Sequence, residues 1–211
     1  MNSGATRRSF LKSAVAATVA GAAAPLSLLI LSLTAPLSLL AQHAPATPIT
    51  PAWKARLAQE LPVLGHRNWI LIADSAYPMQ VAPGVETIET NADQLDVVQT
   101  VLSQLNHSIH VRPLVSLDAE LAYVPDSDAP GASVYRKRLA EVLKGLPVEN
   151  VAHEQLLRAE AETGNQYHIL VLKTRMTIPY TSVFIRLDCK YWPADAEKRM
   201  RERMATGTPE P

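Results

Sequence analysis

The most constraining feature of the sequence is an apolar run at positions 69–73, Trp-Ile-Leu-Ile-Ala, in the first half of the chain. The pair Gly65-His66 comes shortly before the run, and Asp74 follows it directly. A short, uninterrupted apolar run of this kind predicts a strand that is buried on both faces of a sheet. Such a strand would hold a histidine near its start and a carboxylate at its end on one rigid element.

Strand and helix patterns alternate along the rest of the chain. Strands are predicted at 85–89, 110–117, 148–152, 167–172 and 182–187, and helices at 53–63, 92–104, 132–143, 153–162 and 194–205. Asn91 is predicted to cap the second of these helices. The alternation predicts a single α/β domain with three layers, in which helices cover both faces of a mixed, mainly parallel sheet. The last two strands are joined without a helical pattern, so they either pair antiparallel or are linked by a crossover that lacks a helix.

The N-terminus carries the pattern of an export signal. Residues 6–12 are Thr-Arg-Arg-Ser-Phe-Leu-Lys, which matches a twin-arginine signal, and an apolar stretch without charges follows. We expect cleavage after Ala41 or Ala46, or a retained membrane anchor, because the stretch is long enough to span a bilayer. Both alternatives place the domain outside the cytoplasm, in the periplasm or the extracellular space. The predicted division is a signal peptide at 1–41, a Pro-rich linker at 42–51, the domain at 52–190 and a C-terminal helical extension with a tail at 191–211.

Composition and missing motifs exclude several classes of function. The 20 basic and 20 acidic residues balance, so there is no basic excess of the kind that nucleic-acid binding requires. Cys189 is the single cysteine, which excludes an intrachain disulfide, and it is predicted to be a small buried residue at a strand end. There is no glycine-rich phosphate loop, no G-x-S-x-G and no helical histidine pair of zinc type, so we expect neither a cofactor nor a metal.

Four residues are candidates for acid/base or binding roles, and each also has a structural interpretation. His66 could be a helix C-terminal residue favoured by the helix dipole, and His153 could be a polar residue at a helix start. Asp74 could begin a turn, and Tyr180 could be a packed aromatic side chain. The residue types alone leave these alternatives open.

Three segments, taken in order, resemble the ribose pyranase / fucose mutarotase (RbsD/FucU) family. The first is Leu-Gly-His at 64–66, followed by the apolar strand that ends in Asp74 and by Tyr-Pro at 77–78. The second is Ala-His-Glu-Gln-Leu at 152–156, similar to the family's helix-opening His-Glu-Gln. The third, Pro-Tyr-Thr-Ser-Val-Phe-Ile at 179–185, is similar to the family's C-terminal Tyr-x-Asn and apolar strand.

The resemblance implies an RbsD-like, Rossmann-like fold and an enzyme that interconverts sugar anomers or ring forms without metal or cofactor. It implies that His66 is the acid/base group and that Asp74 orients it or binds a sugar hydroxyl. It implies that His153, Tyr180 and Ser182 line the monosaccharide pocket, with Ser182 where the family has asparagine. Pockets of the family are assembled between subunits, so the resemblance also implies a homo-oligomer. Membrane contact is expected only through an uncleaved N-terminal segment.

Two further interpretations come from the departures and from the C-terminal extension. The family's Gly-Glu pair before the tyrosine is absent, because residues 173–176 are Lys-Thr-Arg-Met. This change, together with Ser182, favours a module that binds a sugar or small polar ligand without catalysis. The charged helix at 194–205 is typical of a solvated face and, alternatively, of a partner-binding surface.

Overall fold

The computed structural model describes residues 51–207. Within that part of the chain the elements are α1 (Ala52–Glu60), β1 (Trp69–Ala73), β2 (Val85–Glu89), α2 (Gln94–His107), β3 (Val111–Asp118), a 3₁₀ helix (Ala119–Tyr123), α3 (Ala132–Val142), β4 (Val148–Val151), α4 (His153–Gly164), β5 (Ile169–Lys173), β6 (Val183–Cys189) and α5 (Ala194–Thr206). Every predicted strand and helix is present, with bounds that differ by a few residues at most.

The six strands form one mixed sheet in the order β2-β5-β1-β6-β3-β4. All neighbouring pairs are parallel except those of β6, which runs antiparallel to β1 and to β3. The parallel pairs arise because helices carry the chain back across the sheet between strands. The predicted α/β class and mainly parallel sheet are therefore confirmed.

Strand β1 is central and buried along its whole length, as the apolar run predicts. Ile70 and Ile72 pack into the larger hydrophobic core, together with apolar side chains of α1, α2 and α3. Trp69 and Leu71 face the opposite side of the sheet, where Leu156 of α4 covers them. Because side chains alternate across a strand, one apolar run serves both cores, and the three-layer arrangement is confirmed.

The structure corrects one predicted connection and decides between the alternatives for another. Asn91 does not cap α2: it adopts a left-handed backbone conformation (φ 49°), and the Asp93 side chain accepts the N–H of Leu95 instead. Strands β5 and β6 do not pair with each other, because β1 lies between them, so the second of the two predicted alternatives, a crossover without a helix, is the one present. The connection from β5 to β6 therefore passes over the C-terminal end of β1. The side chains of this connection lie at that end of the sheet.

The C-terminal extension stands apart from the core. No residue of α5 is buried, and its charges form ion pairs along the helix, such as Arg199 with Asp195 at 2.7 Å. These observations agree with a solvated helix. Cys189 is the last residue of β6, as predicted for a strand end, but it is only partly buried.

The predicted signal peptide at 1–41 and nearly all of the predicted linker lie outside the described residues. Among residues 51–207, none of the helices has the length and apolar character needed to cross a membrane.

Gly84 should tolerate no side chain, because a Cβ atom there would overlap the backbone carbonyl oxygens of Gly164 and Tyr167. Backbone atoms cannot rotate away as a flexible side chain can. We expect Gly84→Ala to lower the free energy of unfolding by about 3 kcal/mol through overpacking, measured by urea denaturation. Gly65→Ala is the matched control, since its new Cβ would meet only Asn68 Oδ1 at 3.9 Å. Equal losses in the two variants would contradict the prediction.

Candidate active site

A cleft of about 730 Å³ opens at the C-terminal ends of the parallel strands β1, β3, β4 and β5. Its walls include Asp74 after β1, Asp118 at the end of β3, His153 after β4 and Ser182 before β6. Ligands of α/β proteins bind outside the carboxyl ends of the strands, and the volume lies in the range of small-molecule sites. The cleft is therefore the candidate site.

Four of the five residues predicted for the site line this cleft: Asp74, His153, Tyr180 and Ser182. They come from three separate stretches of sequence, which the sheet topology gathers at one edge. His66 does not line the cleft within one chain.

His153 forms the central polar contact of the cleft with Asp118. The distance between His153 Nδ1 and Asp118 Oδ1 is 2.9 Å, and Asp118 is 1% exposed. Burial raises the pKa of the Asp118 carboxyl, and the hydrogen bond with His153 opposes that rise. In its ionised form Asp118 accepts the Nδ1–H of His153, and in that tautomer Nε2 is the ring nitrogen that remains for a ligand.

The position of His153 is fixed at the first turn of α4. Its backbone N–H donates to both carboxylate oxygens of Glu120, at 3.1 and 3.0 Å. The residue before it, Ala152, offers no side-chain cap, so this contact from the 3₁₀ helix takes the place of a local cap. Glu120 and Asp118 together attach the start of α4 to the end of β3.

Tyr180 lies against His153 in a strained backbone conformation. Its φ is 58°, and its ring meets the His153 ring edge to face, with centroids 5.3 Å apart and planes at 90°. The neighbouring carbonyl of Thr181 accepts hydrogen bonds from Gln94 of α2 and Tyr135 of α3, which hold the segment in place. A left-handed non-glycine residue costs about 1–3 kcal/mol and is a feature of ligand sites.

Asp74 combines a turn position with a place in the wall of the cleft. Its Oδ1 accepts the backbone N–H of Ala76 at 2.8 Å, so it begins a turn after β1. It also lines the cleft, and its side chain is only partly buried. The turn hydrogen bond occupies one carboxylate oxygen and leaves the other available to a ligand.

His66 lies before the start of β1, at the end of the sheet opposite to the cleft. Its Nδ1 is 3.1 Å from Asp188 Oδ1, and its side chain is 54% exposed. Asp188 also accepts hydrogen bonds from Arg112 at 2.6 and 2.8 Å. The intervening strand separates His66 from the cleft by roughly 16 Å, at about 3.3 Å per residue.

The far wall of the cleft contains a buried carboxyl group, Glu160 of α4. Glu160 is 3% exposed, and its Oε2 accepts the hydroxyl proton of Tyr77 at 2.5 Å. Its Oε1 is buried without a hydrogen-bond partner. Burial raises the pKa of Glu160 despite the hydrogen bond from Tyr77, which lowers it.

A comparison with protein families identifies the fold. A model of the RbsD / FucU transport protein family matches residues 48–188. The chain belongs to this family. The match covers more than half of the 211 residues and confirms the resemblance that the three motifs indicate.

The chain is similar to members of the RbsD/FucU family that are named for sugars. It is 24% identical over 139 residues to a D-ribose pyranase of Symbiobacterium thermophilum, covering 62% of this chain and 88% of that protein. A structure of Bacillus subtilis RbsD complexed with D-ribose is 18% identical, with TM-score 0.46 and coverage of 63% and 90% of the two chains. A Streptococcus pneumoniae fucose mutarotase in complex with L-fucose is 16% identical, with TM-score 0.44 and coverage of 66% and 96%.

The family motifs did not point to Asp118, Glu120 or Glu160. Asp118 is the last residue of β3 and Asp74 directly follows β1, so its position was a usable signal for a residue at the same end of the sheet. Glu160 follows His153 by two helical turns and so shares its face, which was also detectable from spacing. Nothing local distinguishes Glu120, whose partner is far away in sequence.

One group of side chains in the described part of the chain has the composition of a metal site. Glu60, Glu86 and His168 place one potential ligand atom each within 4.8 Å of one another. Arg56 already pairs with both carboxylates, at 2.7 and 2.9 Å, and so neutralises charge that a cation would need. None of these residues lines the cleft.

Glu160 should make the stability of the domain depend on pH. Because its pKa is raised in the folded state, its contribution is fully present below the unfolded pKa and is lost as pH rises through the folded pKa. Glu160→Gln keeps an acceptor for Tyr77 and cannot ionise. We therefore expect the free energy of unfolding of the variant to improve relative to wild type as pH rises from acid to neutral, measured by urea denaturation. A difference that stays constant across this range would contradict the assignment.

Proposed function

We propose that this domain interconverts the anomers or ring forms of an aldose by proton transfer at His153 and His66, without a redox step. The observation that supports the proposal most is the His153–Asp118 pair, which faces a small-molecule cleft beside Tyr180. The relatives named as D-ribose pyranase and fucose mutarotase supply the class of substrate.

The proposed reaction opens and recloses a cyclic hemiacetal. Nε2 of His153 takes the proton of the anomeric hydroxyl, and the bond between the anomeric carbon and the ring oxygen breaks as the aldehyde forms. The ring oxygen receives a proton from a second group. Rotation about the adjacent carbon–carbon bond and the reverse proton transfers then give the other anomer or ring size. An imidazole can both accept and donate a proton, so it suits both directions of the reaction.

His66 of a second copy is the proposed second group. His66 lies at the end of the sheet opposite to the cleft, so it can reach a cleft only across a contact between two copies. Such a contact joins two different surfaces of the chain and generates a ring when its rotation closes. In this assembly Asp74, Tyr180 and Ser182 bind the sugar hydroxyls from the chain that owns the cleft.

Exposed apolar side chains at both surfaces support this contact. Beside His66, Val63 and Ile109 are 76% and 86% exposed. At the cleft, Met79 and Val81 flank the lining residue Gln80 and are 82% and 95% exposed. Exposed apolar side chains that neighbour each other on a surface are typical of surfaces that become buried in an assembly.

The test is anomer exchange, measured by saturation-transfer NMR on a panel of aldopentoses and aldohexoses with the purified domain. We expect exchange of at least one aldose to accelerate in proportion to protein concentration. Lack of acceleration for every sugar would overturn the enzymatic proposal.

The alternative is a module that binds sugars without catalysis. The observation that favours it is the absence of His66 from the cleft within one chain. This alternative predicts that a sugar of the panel binds, seen by chemical-shift changes, while its exchange rate stays at the spontaneous value.

The proposal includes export through the twin-arginine motif at Arg7 and Arg8. Changing both arginines to lysine should retain the full-length protein in the cytoplasm, because the export receptor recognises this pair. Cell fractionation of an epitope-tagged chain measures the outcome, with Arg56→Lys as the control. Undiminished export of the double variant would contradict the assignment.

A further inference from the structure

The cleft contains a second buried acid that the proposed reaction does not use. Glu160 lies seven residues after His153 on α4, which places it two turns further along the same helix face. Glu160 is only 3% exposed, and it lines the cleft together with Tyr77. One carboxyl oxygen is bonded to Tyr77, whereas Oε1 has no partner.

The ionisable side chains that line the cleft are mostly acidic. Asp74, Asp118 and Glu160 all line it, and no Lys or Arg of residues 51–207 is among its lining residues. Each of the two buried acids has one oxygen without a hydrogen-bond partner, but Asp118 has an imidazole beside it, whereas Glu160 has only a neutral phenol. A phosphorylated sugar or a uronic acid would bring a further negative charge into this site, and like charges brought together cost several kcal/mol.

We propose that the Glu160 end of the cleft binds the ammonium group of an amino sugar, so that the preferred substrates are aldoses with a free amine remote from the anomeric carbon. This inference rests on the proposed function for its reacting end. It adds the substrate class, which is cationic rather than neutral or anionic.

An ammonium group suits Glu160 better than a hydroxyl group does. A neutral hydroxyl would satisfy Oε1 but would offer no counter-charge to the buried carboxylate in its ionised form. A charged donor satisfies the oxygen and the charge together, and charge-assisted hydrogen bonds are about twice as strong as neutral ones. Burial raises the pKa of Glu160, and a bound cation offsets the cost of ionising it.

The spacing along α4 decides where the amine must be. Seven residues correspond to a rise of roughly 10 Å at 1.5 Å per residue, an interval that a monosaccharide covers only with its outer substituents and a hydrogen bond at each end. In the proposed orientation the anomeric carbon lies at His153, and carbon 4 or carbon 6 is directed toward Glu160. An amine on carbon 2 is adjacent to the reacting carbon and cannot reach it.

The experiment compares three sugars that differ only at carbon 6: D-glucose, 6-amino-6-deoxy-D-glucose and D-glucose 6-phosphate. Affinities come from NMR titration of the full domain, and the 2-amino sugar D-glucosamine tests the position of the amine. We expect the 6-amino sugar to bind at least ten-fold more tightly than D-glucose, and the phosphate more weakly than D-glucose. D-Glucosamine should not share the advantage.

Variants of α4 test whether Glu160 causes the preference for the 6-amino sugar. Glu160→Gln should reduce the ratio of 6-amino-sugar to D-glucose affinity to within about three-fold of unity. Glu162→Gln, an exposed acid on the same helix, should leave the ratio at its wild-type value. A 6-amino sugar that binds no better than D-glucose, an unchanged ratio in Glu160→Gln, or no binding of any of these sugars at millimolar concentration would overturn the inference. Tight binding of the 6-amino sugar without accelerated exchange would instead sustain the substrate class and reject the enzymatic function.

Discussion

Replacement of His153 by alanine should lower the protein-dependent rate of anomer exchange by about 100-fold or more, since a positioned acid/base group contributes about 10²–10⁴-fold. The variant removes the only imidazole that lines the cleft among residues 51–207. It also removes the ring that faces Tyr180 at 5.3 Å and the partner of Asp118 at 2.9 Å. The rate is measured by saturation-transfer NMR with the sugar that the wild-type protein accelerates most.

The control for His153→Ala is His107→Ala, which changes an exposed histidine at the end of α2. It should keep the wild-type rate. Loss of the partner of buried Asp118 could also destabilise the fold, so thermal unfolding is recorded for both variants. A folded His153→Ala protein with more than half of the wild-type rate would contradict a proton-transfer role for His153.

The sequence predicted most of the fold because its elements are defined by local patterns. The apolar run of β1 is continuous, which requires burial on both faces, and the structure places Ile70 and Leu71 in opposite cores. The order of strands was not predictable in this way. Pairing of β6 with β1 and β3 depends on which faces and edges meet in three dimensions, and no local signal in residues 183–189 encodes that choice.

The residues of the candidate site likewise include some that the sequence predicted and some that it did not. His153 and Tyr180 belong to recognisable motifs, and the structure brings them into contact. Asp118 and Glu160 were missed because their significance lies in burial and in an unpartnered oxygen, which are properties of the folded chain. An acidic residue at a strand end or on a helix face is common, so the positions of Asp118 and Glu160 could have made them candidates, and only their surroundings in the folded chain distinguish them from other acids.

Replacement of His66 by alanine should also reduce exchange by about 100-fold, although His66 lies at the other edge of the sheet from the cleft. The physical reason is the proposed assembly, in which His66 of one copy completes the cleft of the next. His66 is half exposed and its partner Asp188 keeps the ion pair with Arg112, so the domain itself should remain folded. The same NMR measurement is made on the variant, with thermal unfolding as the control for the fold.

Mixing two inactive variants separates a shared site from a site within one chain. In a mixed assembly, a chain with His66→Ala supplies an intact His153, and a neighbour with His153→Ala supplies an intact His66. Random mixing in equal amounts should therefore restore about one quarter of the wild-type rate, because that fraction of contacts unites the two intact residues. Native mass spectrometry verifies that the copies have exchanged. No recovery after exchange would mean that the two histidines do not act across a contact, and full activity of His66→Ala alone would remove His66 from the reaction and leave His153 with Asp118 as its acid/base pair.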